Sequence, residues 1–353
     1  MSGKKIKANR AKKRKAPTKK SSSKKRTGLL IVSILILGIL GIIAFGLSKS
    51  KGGKKGKKHS NTSISKQNKV ISSCKRSPLF PTKHGMKAPF AVDLRQGTEF
   101  RGLRIIEARR NGKYLQLPGW DKFGYLGLYS LDDKGNIFTN PLPYVSIDIN
   151  PPKEQNRILK VDARTGEMSV FMNLPSTNPP SAKNPFGVIG LEYDCTTKSL
   201  YATSVAGSTY RKEYGKIFQI NPDTKKILDT YDNLDAMGVT IFAGNTGRRV
   251  YIGLARKPEV YSIGLDEQGG FKDDLRFEFS LKDVPGGTDV KAHRMRINDN
   301  IMTLKAREFS YSLISASVSM RTIFKYKYNP NKDKWEFIEL HSENPNAHLN
   351  NKL

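Results

Sequence analysis

Aspartate and glutamate are missing from the first 92 residues of this 353-residue chain, a stretch that holds 25 lysines and arginines. From Asp93 onward 37 basic residues meet 31 acidic ones, so most of the formal charge of +31 belongs to an N-terminal tail. A pI near 10 ordinarily points to a nucleic-acid-binding domain. Here the body carries only +6, and a nucleic-acid partner is not expected. Cysteine is scarce too: two residues exclude a disulfide-built scaffold and a four-thiolate zinc site. The five histidines (His59, His84, His293, His341, His348) include no pair spaced as ligands on one strand or helix, which argues against a zinc hydrolase. Also missing are a Gly-x-Ser-x-Gly elbow, a phosphate loop and a catalytic-cysteine signature. Beyond residue 75 no segment has the 3.6-residue apolar period of an amphipathic helix.

One long apolar run is present. Gly28 to Leu47 is twenty residues without a charge, and as a helix at 1.5 Å per residue it would be about 30 Å long, the thickness of the bilayer's hydrocarbon core. Thirteen basic residues precede it and six follow between Lys49 and Lys58. Positive charge is retained on the cytoplasmic side, so the reading is a single-pass plasma (inner) membrane protein with a cytoplasmic N-terminus. The competing reading is a cleaved signal peptide, with Ala44-Phe45-Gly46 as a small-x-small cleavage site. The organisation expected is a disordered basic tail (1–27) that contacts anionic headgroups, a transmembrane helix (28–47), a flexible Lys/Gly/Ser-rich linker (48–74), an extracytoplasmic body (75–342) and a short C-terminal tail (343–353).

The body repeats. An apolar strand, a polar turn and a second apolar strand occur from Phe123, Phe186 and Met237, with a weaker copy from Ala292. Each is followed by a hairpin with Asp, Asn, Gly or Pro at its turn, from Arg157, Lys216, Glu259 and Thr322. Two hairpins make the four antiparallel strands of a propeller blade. Phe90 to Leu94, Phe100 to Arg109 and Lys113 to Leu117 add three more strands, read as an incomplete blade, which a strand borrowed across the termini would close. The fold class expected is all-β, a β-propeller of five blades. Six shorter blades and a β-sandwich are the alternatives.

Phe123-Gly124, Asp133-Lys134-Gly135-Asn136, Val161-Asp162-Ala163-Arg164-Thr165-Gly166 and Pro185-Phe186-Gly187 carry a pattern that loosely resembles the NHL-repeat and gluconolactonase-like propellers at the fold level. Gluconolactonase-like enzymes hold a divalent cation at the channel. That resemblance implies Asn184 and Asp235, with Glu192, as oxygen ligands for an ion such as Ca2+. The acidic-Gly-Pro-aromatic signature of those enzymes is missing, and the residues themselves favour Asn184 and Asp235 as turn caps.

Other candidates come from the residues themselves. His293, Arg294 and Arg296 fall at an inner-strand entry and could bind an anion or a partner. Strand alternation would let only one of His293 and Arg294 face the channel. Asp93, Glu192 and Asp194 are the carboxylates available for glycoside hydrolysis, although Asp194 also begins a turn. Arg104, Arg109, Arg110, Lys113, Tyr114 and Trp120 would form either a surface for an acidic partner or one solvated and one buried face. Cys74 and Cys195 would pair as a disulfide outside the cytoplasm, or remain two separate thiols. With no anchored catalytic motif, the function expected is a membrane-displayed binding or scaffolding module for a protein or glycan partner. The alternative is a metal-dependent, lactonase-like hydrolase.

Overall fold

The computed structural model describes residues 74–95, 100–143, 146–313 and 321–343. The apolar run Gly28–Leu47, the basic tail and nearly all of the linker and C-terminal tail lie outside them. Among the described residues no helix is long and apolar enough to cross a membrane.

The described chain is an all-β five-bladed propeller built of consecutive antiparallel strands. The first sheet holds β1 (Phe90–Asp93), β2 (Arg104–Glu107) and β3 (Tyr114–Leu115). The second holds β4 (Leu126–Leu131), β5 (Ile137–Pro141), β6 (Arg157–Val161) and β7 (Met168–Asn173). The third holds β8 (Val188–Asp194), β9 (Ser199–Ser204), β10 (Lys216–Asn221) and β11 (Lys226–Asp232). The fourth holds β12 (Ala236–Gly244), β13 (Gly247–Leu254), β14 (Glu259–Gly264) and β15 (Arg276–Ser280). The fifth holds β16 (Lys291–Asn298), β17 (Ile301–Arg307), β18 (Arg321–Asn329) and β19 (Lys334–Glu343). Neither the six-blade count nor the two-sheet sandwich is realised, because every hairpin closes within its own sheet.

Local chemistry explains the hairpins. Asp132, Asp162, Asp194, Asn221, Asp266 and Asn329 each stand at or beside a strand end and accept N–H groups of the turn that follows. These Asx turns satisfy backbone donors that would otherwise be lost where the ladder stops. Between the sheets, alternation sends apolar side chains to both faces. Leu103, Ile105, Leu126 and Leu159 fill the space between the first two sheets. Phe138, Phe171, Leu200 and Phe218 form the next layer, Tyr201, Val239 and Ile252 the one after, and Phe242, Met295, Leu304 and Phe324 the last. Among the described residues no such cluster joins the fifth sheet to the first.

The first strands β4, β8, β12 and β16 lie side by side around the axis, with β8 against β4 and β12, and β12 against β16. The first sheet departs from this plan. Gly102, just before β2, bonds to Gly124 just before β4, as Gln155, just before β6, bonds to Val188 at the start of β8. By that correspondence β1, β2 and β3 are the second, third and fourth strands of their blade. Among the described residues its innermost strand is absent and no strand from the termini supplies it.

Candidate functional site

Two ends of the channel hold the charged side chains. At the end where the chain enters the first strands, Asp235 is buried. Its carboxylate accepts from Ser208 Oγ at 2.5 Å, from the Gly215 N–H at 2.9 Å, from Arg256 Nε at 3.3 Å and from the Tyr311 hydroxyl. Arg256 also meets Glu213 Oε1 at 2.8 Å and donates to Tyr210 O at 3.0 Å. Burial, and then the charge of Asp235, raises the Glu213 carboxyl above its ordinary value. Burial followed by the same carboxylate charge pushes the Tyr311 hydroxyl upward, so it stays protonated as a donor. Phe186, Ile189, Val205, Met237 and Tyr311 pack together here, with Phe309 and Leu313 against them, and close this end with apolar side chains.

Asn184 belongs to the same end. Its Nδ2 donates to Val205 O at 2.8 Å and Ser208 O at 2.9 Å, and its Oδ1 accepts from the Phe186 N–H at 3.1 Å. Ser208 therefore links Asn184 to Asp235, but the oxygens a cation would use already accept protein hydrogen bonds. Glu192, the third candidate, lies near the far end of β8, so the three do not converge on one ion. Among the described residues no group of three His, Cys, Asp or Glu side chains could hold a metal.

The opposite end carries the β4–β5, β8–β9, β12–β13 and β16–β17 turns and contains a cavity of about 580 Å³. Its charged lining consists of Lys75, Glu192, Asp194, Arg248, Arg294 and Arg296, with His293 beside them. Lys75 Nζ sits 2.6 Å from Glu192 Oε1, and Arg248 pairs with Asp194. Asp194 also accepts from the N–H groups of Thr196 and Thr197, so it is both turn cap and ion-pair partner. Lys75 arrives here because Cys74 and Cys195 are joined by a disulfide, 5.8 Å between Cα atoms and 121 residues apart in sequence. Past it, Arg76 and Leu79 bond to the turns at Asp132 and Ala163, laying the segment across this end.

Alternation does not separate His293 from Arg294. The β16–β17 register slips between Ala292 and Arg294, and both His293 and Arg294 line the cavity. A β-bulge places two residues opposite one and re-aims the side chains, which corrects the expectation that only one could face inward. Arg294 and Arg296 are exposed, while Met295 and Ile297 between and beyond them are buried.

Asp93 lies on the first sheet, paired with Arg95 at 2.9 Å and Arg104 at 3.1 Å, and does not join Glu192 and Asp194. Of the aromatic and basic run, Trp120 is buried and donates to Gly166 O, and Arg104 stacks 4.1 Å from the Phe100 ring. Arg109 pairs with the buried Glu107, leaving Arg110, Lys113 and Tyr114 as the solvated face. Sequence reasoning missed Lys75, Ser208, Arg248, Arg256 and Tyr311. They lie on loops, turns or strand ends, and only Tyr311, beside Phe309 in an otherwise polar loop, carried a local signal.

No protein-family model and no curated protein matches the chain. Several solved structures align with it loosely. A protein from Lactobacillus plantarum aligns at TM-score 0.44 and 10% identity over 72% of this chain and 67% of that one. A nidogen/laminin complex aligns at 0.42 and 12% over 69% and 72%, and a luciferin-regenerating enzyme at 0.41 and 12% over 72% and 80%. The chain is loosely similar to β-propeller proteins at the level of the fold.

Proposed function

We propose that this chain is a single-pass membrane protein whose propeller, held outside the cytoplasm, is a binding or scaffolding module for an envelope or cell-surface partner. The observation that carries the reading is the contrast along the channel. At one end the carboxylate and amide oxygens suited to a catalytic cation are engaged by protein donors beneath an apolar plug. At the other end an open cavity is lined by Lys75, Arg248, Arg294 and Arg296 beside Glu192 and Asp194. Rigid scaffolds with loop-lined openings are where binding concentrates. A disulfide between Cys74 and Cys195 suits an oxidising compartment, in keeping with display outside the cytoplasm by Gly28–Leu47. Arg294, Arg296 and His293 are the residues proposed to meet the partner.

The test is a calcium titration of the full-length chain in detergent, with Asn184→Ala/Asp235→Ala alongside. No saturable calcium binding is expected. Stoichiometric binding lost in the double variant would replace this reading with the metal-dependent hydrolase. In intact cells, external protease should degrade the body, and full protection would overturn the topology.

A further inference from the structure

We propose that the propeller pairs with a second copy of itself, the β2–β3 turn of each copy seated on the β14–β15 connection of the other. The inference goes beyond the binding-module reading, because it uses the outer turns and not the cavity.

The connections between third and fourth strands differ in charge from blade to blade. Three are mixed. Asp162 and Glu167 flank Arg164 in the second blade, Asp223 stands with Lys225 and Lys226 in the third, and Asp333 lies between Lys332 and Lys334 in the fifth. Two blades break this pattern. Ala108 to Lys113, between β2 and β3, holds Arg109, Arg110 and Lys113 and no carboxylate. Leu265 to Leu275, between β14 and β15, holds Asp266, Glu267, Asp273 and Asp274 against a single lysine, Lys272.

A buried acid explains the first exception. In the other blades the side chain that caps this turn is an Asp or Asn that solvent reaches; in the first, Glu107 stands at the strand end with its side chain fully buried. It accepts the Lys87 N–H at 2.7 Å and the Lys113 N–H at 3.0 Å, and it pairs with Arg109. Its charge is thus answered from within. Lys87, Arg110 and Lys113 are carried to the surface on backbone that Glu107 fixes, and none of their side chains forms an ion pair among the described residues. Tyr114, next in the chain, is 68% exposed.

The fourth blade supplies the complement. Asp274 is engaged by Arg249 at 2.7 Å, whereas Asp266, Glu267 and Asp273 are exposed and form no ion pair among the described residues. Leu275 and Phe277, which follow directly, are 41% and 51% exposed. Each surface therefore combines charge of one sign with exposed apolar or aromatic side chains. Such side chains, once covered, supply affinity, and opposite charges fix which surfaces meet.

Both connections lie at the turn end. Lys134 of the β4–β5 turn pairs with Asp223 of the β10–β11 turn, and the Leu265 N–H donates at 2.9 Å to Arg248 O beside the β12–β13 turn. The correspondence of β2 and β3 with third and fourth strands puts their turn at the same end. Two copies facing each other across a two-fold axis therefore make the contact twice, and the assembly closes at two.

The test reverses each surface in the full-length chain in detergent, followed by sedimentation equilibrium and by energy transfer between differently labelled copies. The wild type should dimerise in a concentration-dependent way. Arg110→Glu/Lys113→Glu alone and Glu267→Lys/Asp273→Lys alone should each dimerise about tenfold more weakly or worse, since like charges then meet. Mixing the two variants should restore a mixed dimer as tight as the wild type, because both contacts regain opposite signs. Equal melting temperatures would show that the variants fold. A wild type that stays monomeric, a dimer that neither reversal weakens, or a loss that mixing does not restore would each overturn the proposal. None of the four residues lines the turn-end cavity, so such a failure leaves the binding-module reading intact.

Discussion

The two ends of the channel hold similar residue types and use them in opposite ways. At the entry end, Asp235, Glu213, Arg256, Tyr311 and Ser208 bond to one another over distances of about 2.5–3.3 Å, two carboxylates sharing one guanidinium. At the turn end two separate ion pairs, Lys75–Glu192 and Arg248–Asp194, line an open cavity together with Arg294 and Arg296. A network closed on itself fixes loops in place; an open cavity leaves room for a ligand. Presence of acids and bases therefore does not locate a site. The open volume beside them does.

Removing Asp235 is the most severe way to test this contrast. Asp235→Ala would take the acceptor from two hydroxyls (Ser208 and Tyr311), the Gly215 N–H and the Arg256 Nε–H, and should cost about 3 kcal/mol. That is the low end for a buried pair, because Arg256 retains 22% side-chain exposure. In a domain of this size it lowers the melting temperature by roughly 6–12 °C. Binding at the turn end should not change, since distant sites contribute independently. A loss under about 1 kcal/mol in urea unfolding would mean that the entry end is not structural.

The second comparison is between blades. Gly190→Ala forces a methyl group against the Met237 carbonyl and should destabilise by about 1–3 kcal/mol, as overpacking does. His293→Ala, at the extra residue of the fifth blade's bulge, should cost under about 1 kcal/mol. Equal losses by urea unfolding would mean that β16 is enclosed like its counterparts.

The smallest effect concerns pH. Burial and the neighbouring Asp235 raise the Glu213 carboxyl above its ordinary 4.5. A raised acid contributes stability in full below its unfolded value, and loses it as pH climbs through the folded value. The wild type should therefore lose stability relative to Glu213→Gln as pH rises from about 4.5, with little difference in more acidic solution. Parallel urea midpoints across that range would remove Glu213 from the electrostatics of the entry end.

Much of the scaffold was legible in the residues. The hairpins from Phe123, Arg157, Phe186, Lys216, Met237, Glu259, Ala292 and Thr322 became β4 to β19 because a period of two and Asx-rich turns are local properties. The three strands ahead of them were legible for the same reason. Which strands of their blade these three are was not, because that depends on a hydrogen bond between Gly102 and Gly124 of successive blades. The candidate sites were only half legible. Asn184, Asp235, His293, Arg294 and Arg296 could be placed at strand entries. A one-residue slip at Ala292–Arg294 cannot be read from periodicity, and it brought His293 and Arg294 onto the same cavity. Lys75 had no signal at all, since its position follows from the partner of Cys74.

By itself the sequence determined the repeating hairpins, the separation of a basic tail from a nearly balanced body, and the expectation of an uncharged run long enough to span a bilayer. These follow from composition and spacing along the chain. The tertiary structure alone decided which charges cancel, because pairing depends on distances between loops of different blades. It also decided that β16 carries Arg294 opposite Lys305 at the register position where β8 carries Gly190 opposite Thr203.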